Sequence, residues 1–332
     1  MTGTSSIGQR LNQALRPRQP DPETGAPWPA PDATRHPFAG PPEGGWARGA
    51  RPAIHRLFLL GEGIGASRTP ALHEYEGRQQ GMWLSYRILD SLDWGITTDD
   101  LPAVLGWARS SGFSGFNVTH PFKQAIIPSL DELSDRASAL GAVNTVVLSD
   151  GRAVGHNTDW CGYQKPFRDT LPDACHGTVV QLGAGGAGSA GAYATLDLGT
   201  PLLIIHDIDP TRSASLVERM QGIFGRDRVR VGVDPARSLA GAEGVVNATP
   251  VGMATHPGCP IDDGLLRPDL WVSEIVYFPI QTELLVRARD AGCRTVDGAG
   301  MAAEQAVRAF ELFTGVTPDA PRMHARVRAM VA

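Results

Sequence analysis

Only two lysines stand in this chain, Lys123 and Lys165, against 28 arginines. Where arginine supplies almost every positive charge, a retained lysine points to chemistry that arginine cannot do. Lysine can give up its proton, and arginine effectively cannot. Lys123 closes the run Asn117-Val118-Thr119-His120-Pro121-Phe122-Lys123 and is the candidate acid–base group. Lys165 reads as an ordinary solvated lysine. Asp159, in Asn157-Thr158-Asp159, is the natural charge partner for Lys123, setting its orientation and protonation. His120 is an alternative base, although beside Pro121 at a strand exit it reads better as structural. Ser67-Arg68-Thr69-Pro70 and Asn144-Thr145 add hydroxyl and amide groups suited to gripping a polyhydroxylated substrate. Each patch alone also reads as turn or N-cap chemistry.

A second constellation is Gly183-Ala184-Gly185-Gly186-Ala187-Gly188, which matches GxGxxG at 183, 185 and 188. It follows an apolar run, Thr178 to Leu182, and opens a helical one, the context a dinucleotide loop requires. Glycines allow the tight turn and the close approach of a pyrophosphate to a helix N-terminus. The same glycines could form a turn that binds nothing. Asp207, 24 residues after Gly183, ends the next apolar run, where an acidic residue would bond the adenosine ribose. Its carboxylate would repel a 2′-phosphate, which favours NAD over NADP. Arg212 is the counter-signal, since it could hold a 2′-phosphate or stack on adenine. Asp207 could also serve only as a helix cap.

Apolar runs and turn signals supply the elements that would carry these residues. Strands are expected at 54–60, 84–89, 115–118, 142–148 and 152–157, with helices at 70–81, 99–111 (capped by Thr98 or Asp99) and 131–140. Asp150-Gly151 marks a hairpin between the fourth and fifth strands. A second alternation follows, with strands at 178–182, 202–206, 228–233, 244–247, 271–276 and 293–296. Helices are expected at 186–198, from Pro210, at 302–313 and at 319–330. Strand–helix alternation of this kind predicts an α/β fold with a parallel sheet and helices on both faces. Ligand-binding loops then lie at the carboxyl ends of the strands.

Composition narrows the class. The 332 residues suggest two domains, the net charge is −5 and the pI is near 6.0, so a general nucleic-acid binder is not expected. No apolar run reaches a membrane-spanning length and no secretory h-region is visible. Cys161, Cys175, Cys259 and Cys293 form no CxxC pair and no zinc-type spacing, so free thiols in a reducing cytoplasm and no metal are expected. Ten of the 26 prolines fall in residues 1–52, which read as a disordered Pro/Gly-rich tail. The alternative is an arm that docks on another subunit through Trp28, Phe38 or Trp46.

From Ile54 to the C-terminus the chain resembles the shikimate dehydrogenase family, and most closely its NAD-dependent quinate/shikimate branch. The shared motifs are Ser67-Arg-Thr-Pro, Asn117 to Lys123, Gly141-Ala-Val-Asn-Thr145, Gly155-His-Asn-Thr-Asp159, the glycine loop, Asn247-Ala-Thr-Pro-Val-Gly-Met253, Tyr277 to Leu284 and Gly300-Met301 to Gln305. The resemblance implies an α/β substrate domain over 53–160, completed by C-terminal helices 300–332, and a Rossmann-type NAD domain over 161–299. It implies reversible hydride transfer at C3 of quinate or shikimate by a monomer or homodimer. Lys123 and Asp159 would be the catalytic pair, and Ser67 and Thr69 would hold the substrate carboxylate. Thr119, Asn144, Tyr277 and Gln305 would bind ring hydroxyls. Thr249, Val276, Gly298 and Met301 would flank the nicotinamide. Thr69, where the biosynthetic enzymes usually have serine, and the acidic Asp207 both fit the NAD-using branch. An NADP-dependent shikimate or aminoshikimate dehydrogenase and an inactive dinucleotide-binding regulator are the rival readings.

Overall fold

A computed structural model of the chain describes Leu11 and residues 54–331. The expected tail at 1–52 therefore lies outside the described residues except at Leu11, which is helical and 2% exposed.

The described strands are β1 (Ile54–Gly61), β2 (Trp83–Asp90), β3 (Gly115–Val118), β4 (Glu132–Leu133), β5 (Thr145–Ser149), β6 (Arg152–His156), β7 (Thr178–Leu182), β8 (Leu202–His206), β9 (Val229–Val231), β10 (Gly244–Asn247), β11 (Trp271–Glu274) and β12 (Arg294–Val296). The helices are α1 (Thr69–Gln79), α2 (Ser91–Trp94), α3 (Leu101–Ser110), α4 (Phe122–Ala125), α5 (Asp135–Leu140), α6 (Asp159–Thr170), α7 (Gly186–Asp197), α8 (Pro210–Phe224), α9 (Pro235–Ala240), α10 (Glu283–Asp290), α11 (Gly298–Thr314) and α12 (Ala320–Val331). None of them is long and apolar enough to cross a membrane.

Contacts divide the chain into two compact units. One holds the described residues up to Glu132 with Val146–Val154, and the other holds Leu133–Thr145 with Gly155 onward. In the first unit β1 lies between β2 and β3 and runs parallel to both. The whole N-terminal sheet has the order β2-β1-β3-β5-β6-β4. Phe58 and Phe116 stack at 4.5 Å on one of its faces, with Trp107 of α3 at 5.5 Å from Phe58. Asp150 and Gly151 both have positive φ, 52° and 75°, as the expected hairpin turn requires.

The second unit contains a six-stranded sheet, β12-β11-β10-β7-β8-β9, in which every pairing is parallel. Its middle strands are apolar on both faces: Val179, Val180, Leu203, Ile205, Val245, Val246 and Val272 are all fully buried. That pattern belongs to a sheet covered by helices on each side. Strand order reverses at β7, so the glycine loop leaves the sheet at its topological switch point. α6 and α11 pack closely in this unit. A Cβ on Gly162 would lie 2.9 Å from Gln305 Cβ, and one on Gly300 would lie 2.7 Å from Pro166 Cβ. Glycine at both positions lets the helices approach.

Several boundaries differ from expectation. The expected helix at 99–111 is a 3₁₀ turn, Thr98–Asp100, followed by α3. Asp100 turns back to accept from Thr97 N and Oγ1, both at 2.9 Å, so the cap falls at Thr97 and not at Thr98 or Asp99. The expected helix at 131–140 gives way at its start to β4, because Asp131 pairs with Ala153 through both backbone and carboxylate. α5 then starts after Ser134, whose Oγ accepts from Ala137 N. α2, α4, α6, α9 and α10 have no counterpart among the expected elements. In α6 the reason is Pro166, which sits inside the helix although proline ordinarily ends one.

Candidate active site

In the first unit, the loops after β1 and β3 share the carboxyl edge of neighbouring parallel strands. Thr119 N donates to Leu60 O at 2.8 Å, and Glu62 N donates to His120 O at 2.9 Å. A Cβ on Gly61 would fall 2.3 Å from Thr119 Cγ2, so only glycine fits there. These bonds place the Ser67–Thr69 turn and the Thr119–Lys123 segment on one rim. Lys123 lies half-buried in α4, one residue after the buried Phe122 that anchors that short helix. His120 is exposed. Thr69 N donates to Ser67 Oγ at 3.4 Å, so the two proposed carboxylate-binding residues are locally linked.

In the second unit, Asn144, Thr158 and Asp159 form a buried polar knot. Asp159 is 6% exposed and opens α6. Asn144 Nδ2 donates to Asp159 Oδ1 at 2.8 Å and to Thr158 Oγ1 at 2.9 Å. Asn144 Oδ1 accepts from Thr158 N and Thr145 Oγ1, both at 2.9 Å. Asn157 Oδ1 accepts the Asp159 N–H at 3.0 Å. Asp159 is therefore an oriented carboxylate in a site shielded from water, where a charge acts strongly on its neighbours. The motif residues Gly141–Thr145 and Gly155–Asp159 meet here. Gln305 lies half-buried in α11 and donates to Ala302 O at 3.0 Å, and Tyr277 is 40% exposed.

The glycine loop is packed so closely on its own backbone that two of its positions require glycine. Gly183 has φ +99°, and a Cβ there would lie 2.6 Å from Ala248 O. A Cβ on Gly188 would lie 2.4 Å from Gly183 O. Gly185 faces open space and stands at the N-cap of α7 with no side-chain cap, which leaves the first-turn N–H groups of Gly186, Ala187 and Gly188 for an anion. Asp207 borders the same loop: Oδ2 accepts from Ala184 N at 2.7 Å, and Oδ1 accepts from Asp209 N at 2.9 Å. Arg212 is exposed, with Nε 3.5 Å from Asp209 Oδ2. Asn247 Oδ1 accepts from Thr249 N at 3.1 Å and from Thr249 Oγ1 at 2.7 Å. Gly298 lets the start of α11 approach the 275–276 backbone, since a Cβ there would lie 2.5 Å from Ile275 O and 2.6 Å from Val276 O. Met301 follows one turn later in α11.

Three buried polar residues act on these loops without belonging to any candidate set. Gln181 Nε2 donates to Gly183 O at 2.8 Å and to Gly188 O at 2.9 Å, clasping both ends of the glycine loop. Its signal is a carboxamide inside an otherwise apolar strand. Glu274 is 2% exposed at the end of β11. His73 is fully buried in α1, with Nδ1 3.0 Å from Thr69 O, and its ring meets Tyr86 edge-on at 5.1 Å. Burial lowers the His73 pKa from 6.5 to about 4, against the smaller opposing effect of the Thr69 carbonyl. The folded chain therefore holds His73 neutral where the unfolded chain protonates it. Its stability contribution is complete above pH 6.5 and falls as pH drops toward 4, by about 3 kcal/mol across the window. An NMR titration of the imidazoles should find His73 unprotonated at pH 5.5; a midpoint near 6.5 would contradict this.

Comparison with known proteins follows the same outline. Residues 59–146 match the family described as "Shikimate dehydrogenase substrate binding domain", and residues 298–328 match "Shikimate 5'-dehydrogenase C-terminal domain". A quinate/shikimate dehydrogenase (NAD(+)) of Corynebacterium efficiens is 50% identical over 273 residues, covering 81% of this chain and 96% of that protein. A shikimate dehydrogenase (NADP(+)) of Streptomyces avermitilis is also 50% identical, over 271 residues, covering 81% and 93%. Quinate dehydrogenase from Corynebacterium glutamicum, solved in complex with NAD, superposes with a TM-score of 0.79 at 46% identity, covering 84% of this chain and all of that one.

Proposed function

The chain belongs to the shikimate dehydrogenase family, and on that footing we propose that it oxidises quinate or shikimate reversibly at C3 with NAD. The observation that carries the cofactor choice is Asp207, fixed at the rim of the glycine loop by Ala184 N at 2.7 Å. A carboxylate held there favours a ribose diol and repels a 2′-phosphate. NAD supplies the hydride acceptor. Lys123 Nζ takes the proton from the C3 hydroxyl as the C3–H bond breaks and the carbonyl forms. Asp159, oriented by Asn144, stabilises the lysine as it gains that proton. Ser67 and Thr69 bind the substrate carboxylate. Thr119, Asn144, Tyr277 and Gln305 hold ring hydroxyls. The 53–160 segment, with the C-terminal helices, is assigned to substrate and 161–299 to cofactor. The four cysteines are free thiols, in keeping with a cytoplasmic enzyme.

A matrix of initial rates, quinate and shikimate each with NAD and NADP, tests this reading. Turnover with NAD on at least one acid is expected, and activity confined to NADP would refute the cofactor choice. Asp207→Ala should narrow the ratio of NAD to NADP efficiency by about 10–100-fold, the size of one charge-assisted hydrogen bond. It should also raise KM for NAD, because Ala184 N loses its acceptor. An unchanged ratio would remove Asp207 from cofactor selection.

A further inference from the structure

We propose that Glu274 is a positioning residue for the nicotinamide end of the cofactor site, fixing from one point both backbone stretches assigned there. The inference rests on the proposed function, because membership of that family implies Thr249 and Val276 beside the nicotinamide.

The geometry is specific. Glu274 Oε1 accepts from Val276 N and from Asn247 Nδ2, both at 2.9 Å. Oε2 accepts from Asn247 Nδ2 and from Thr282 Oγ1, both at 3.0 Å. Val276 is thus held directly. Thr249 is held through Asn247, whose Nδ2 is turned toward Glu274 and Val251 O while its Oδ1 accepts both Thr249 donors. Thr282 extends the clamp to α10, since its Oγ1 accepts from Leu285 N at 3.3 Å and caps that helix. Gly252 presses on the same point: a Cβ there would lie 3.3 Å from Thr282 Cβ and 3.7 Å from Glu274 Oε2.

Every group reaching the carboxyl is a donor, so an apolar side chain would leave buried N–H and O–H groups unpaired. No charged side chain is among these partners. Burial, the dominant influence, raises the pKa to about 7, so the site tolerates a neutral carboxyl as well as a carboxylate. In the neutral form Oε2 can donate to Thr282 Oγ1 while Oε1 keeps Val276 and Asn247. Glutamine keeps Oε1 for Val276 and Asn247 and turns Nε2 toward Thr282 Oγ1, giving up only the second Asn247 contact. Alanine reproduces none of it.

The test compares Glu274→Gln with Glu274→Ala by calorimetric titration of the full-length chain with NAD, alongside KM for NAD and for quinate. Glu274→Ala should raise Kd and KM for NAD at least about tenfold, with KM for quinate within about threefold, and Glu274→Gln should restore NAD affinity to within about threefold of wild type. General destabilisation would lower the fraction of competent sites and leave their Kd unchanged. If the alanine variant does not fold, Thr282→Val, which loses one donor and a helix cap, should still weaken NAD binding at least about threefold. A folded alanine variant with wild-type Kd, an unchanged Kd in Thr282→Val, or a glutamine variant as impaired as alanine overturns the proposal. Wild-type protein that binds no NAD would overturn the proposed function as well, which separates the two failures.

Discussion

Replacing Lys123 with alanine should lower kcat by at least about 10²-fold, and by up to about 10⁴-fold, the usual range for a positioned proton-transfer group. The expectation begins with composition, since this lysine persists in a chain that otherwise uses arginine. It then rests on placement. Lys123 sits half-buried in α4, on the rim that the Thr119 N–Leu60 O bond ties to the loop after β1. KM for NAD should change little, because the glycine loop is built by other elements. Lys123→Arg separates two roles that alanine confounds. Arginine keeps the charge and much of the length but cannot release a proton between pH 7 and 10. If Lys123 only attracts the substrate, arginine should recover most of the activity. If it moves the proton, arginine should stay nearly as impaired as alanine. Near-wild-type kcat in the arginine variant with saturating quinate or shikimate would refute the assignment and turn attention to His120 or water.

The second large effect is expected at Gly188. Alanine there would bring Cβ to 2.4 Å from Gly183 O and 3.2 Å from Gln181 Nε2, so two fixed groups oppose a single methyl. Gly183 O is backbone and is already bonded to Gln181. It cannot move without opening the loop. The first-turn N–H groups of α7 then lose their aim at the pyrophosphate. Loss of two charge-assisted hydrogen bonds corresponds to about a 10²-fold or greater rise in Kd for NAD. Gly185→Ala is the internal comparison, because nothing protein-derived lies within 4 Å of its Cβ position. Any defect there comes from the bound pyrophosphate and should be absent from the thermal stability of the unliganded chain. Wild-type NAD affinity in Gly188→Ala would contradict this account of the loop.

Much of the fold is legible because the buried strands of the second unit are short apolar runs bounded by glycine and polar turns. Thr178–Leu182 and Leu202–His206 can hardly be read otherwise. α6 is hidden because Pro166 and Gly162 look like breakers, and their purpose appears only when α11 packs against them. β4 is hidden because it depends on Ala153, 22 residues from Asp131. The candidate site divides in the same way. Residues clustered in sequence, such as Asn157-Thr158-Asp159 and the six residues of the glycine loop, announce themselves. Gln181, His73 and Glu274 do not. None stands in a cluster that reads as a motif, and the meaning of each lies in bonds made on folding: Gln181 to both ends of the glycine loop, His73 to Thr69 O one turn away, and Glu274 to the distant Asn247.

The most direct measurement follows one atom. Quinate or shikimate carrying deuterium at C3 should, on turnover with NAD, transfer that deuterium to the nicotinamide ring, and mass spectrometry of the reduced cofactor should find one deuterium per molecule formed. Lys123→Ala should slow the transfer without changing its destination. Reduced cofactor without deuterium, or turnover that leaves C3 labelled, would contradict hydride transfer from C3 and with it the proposed function.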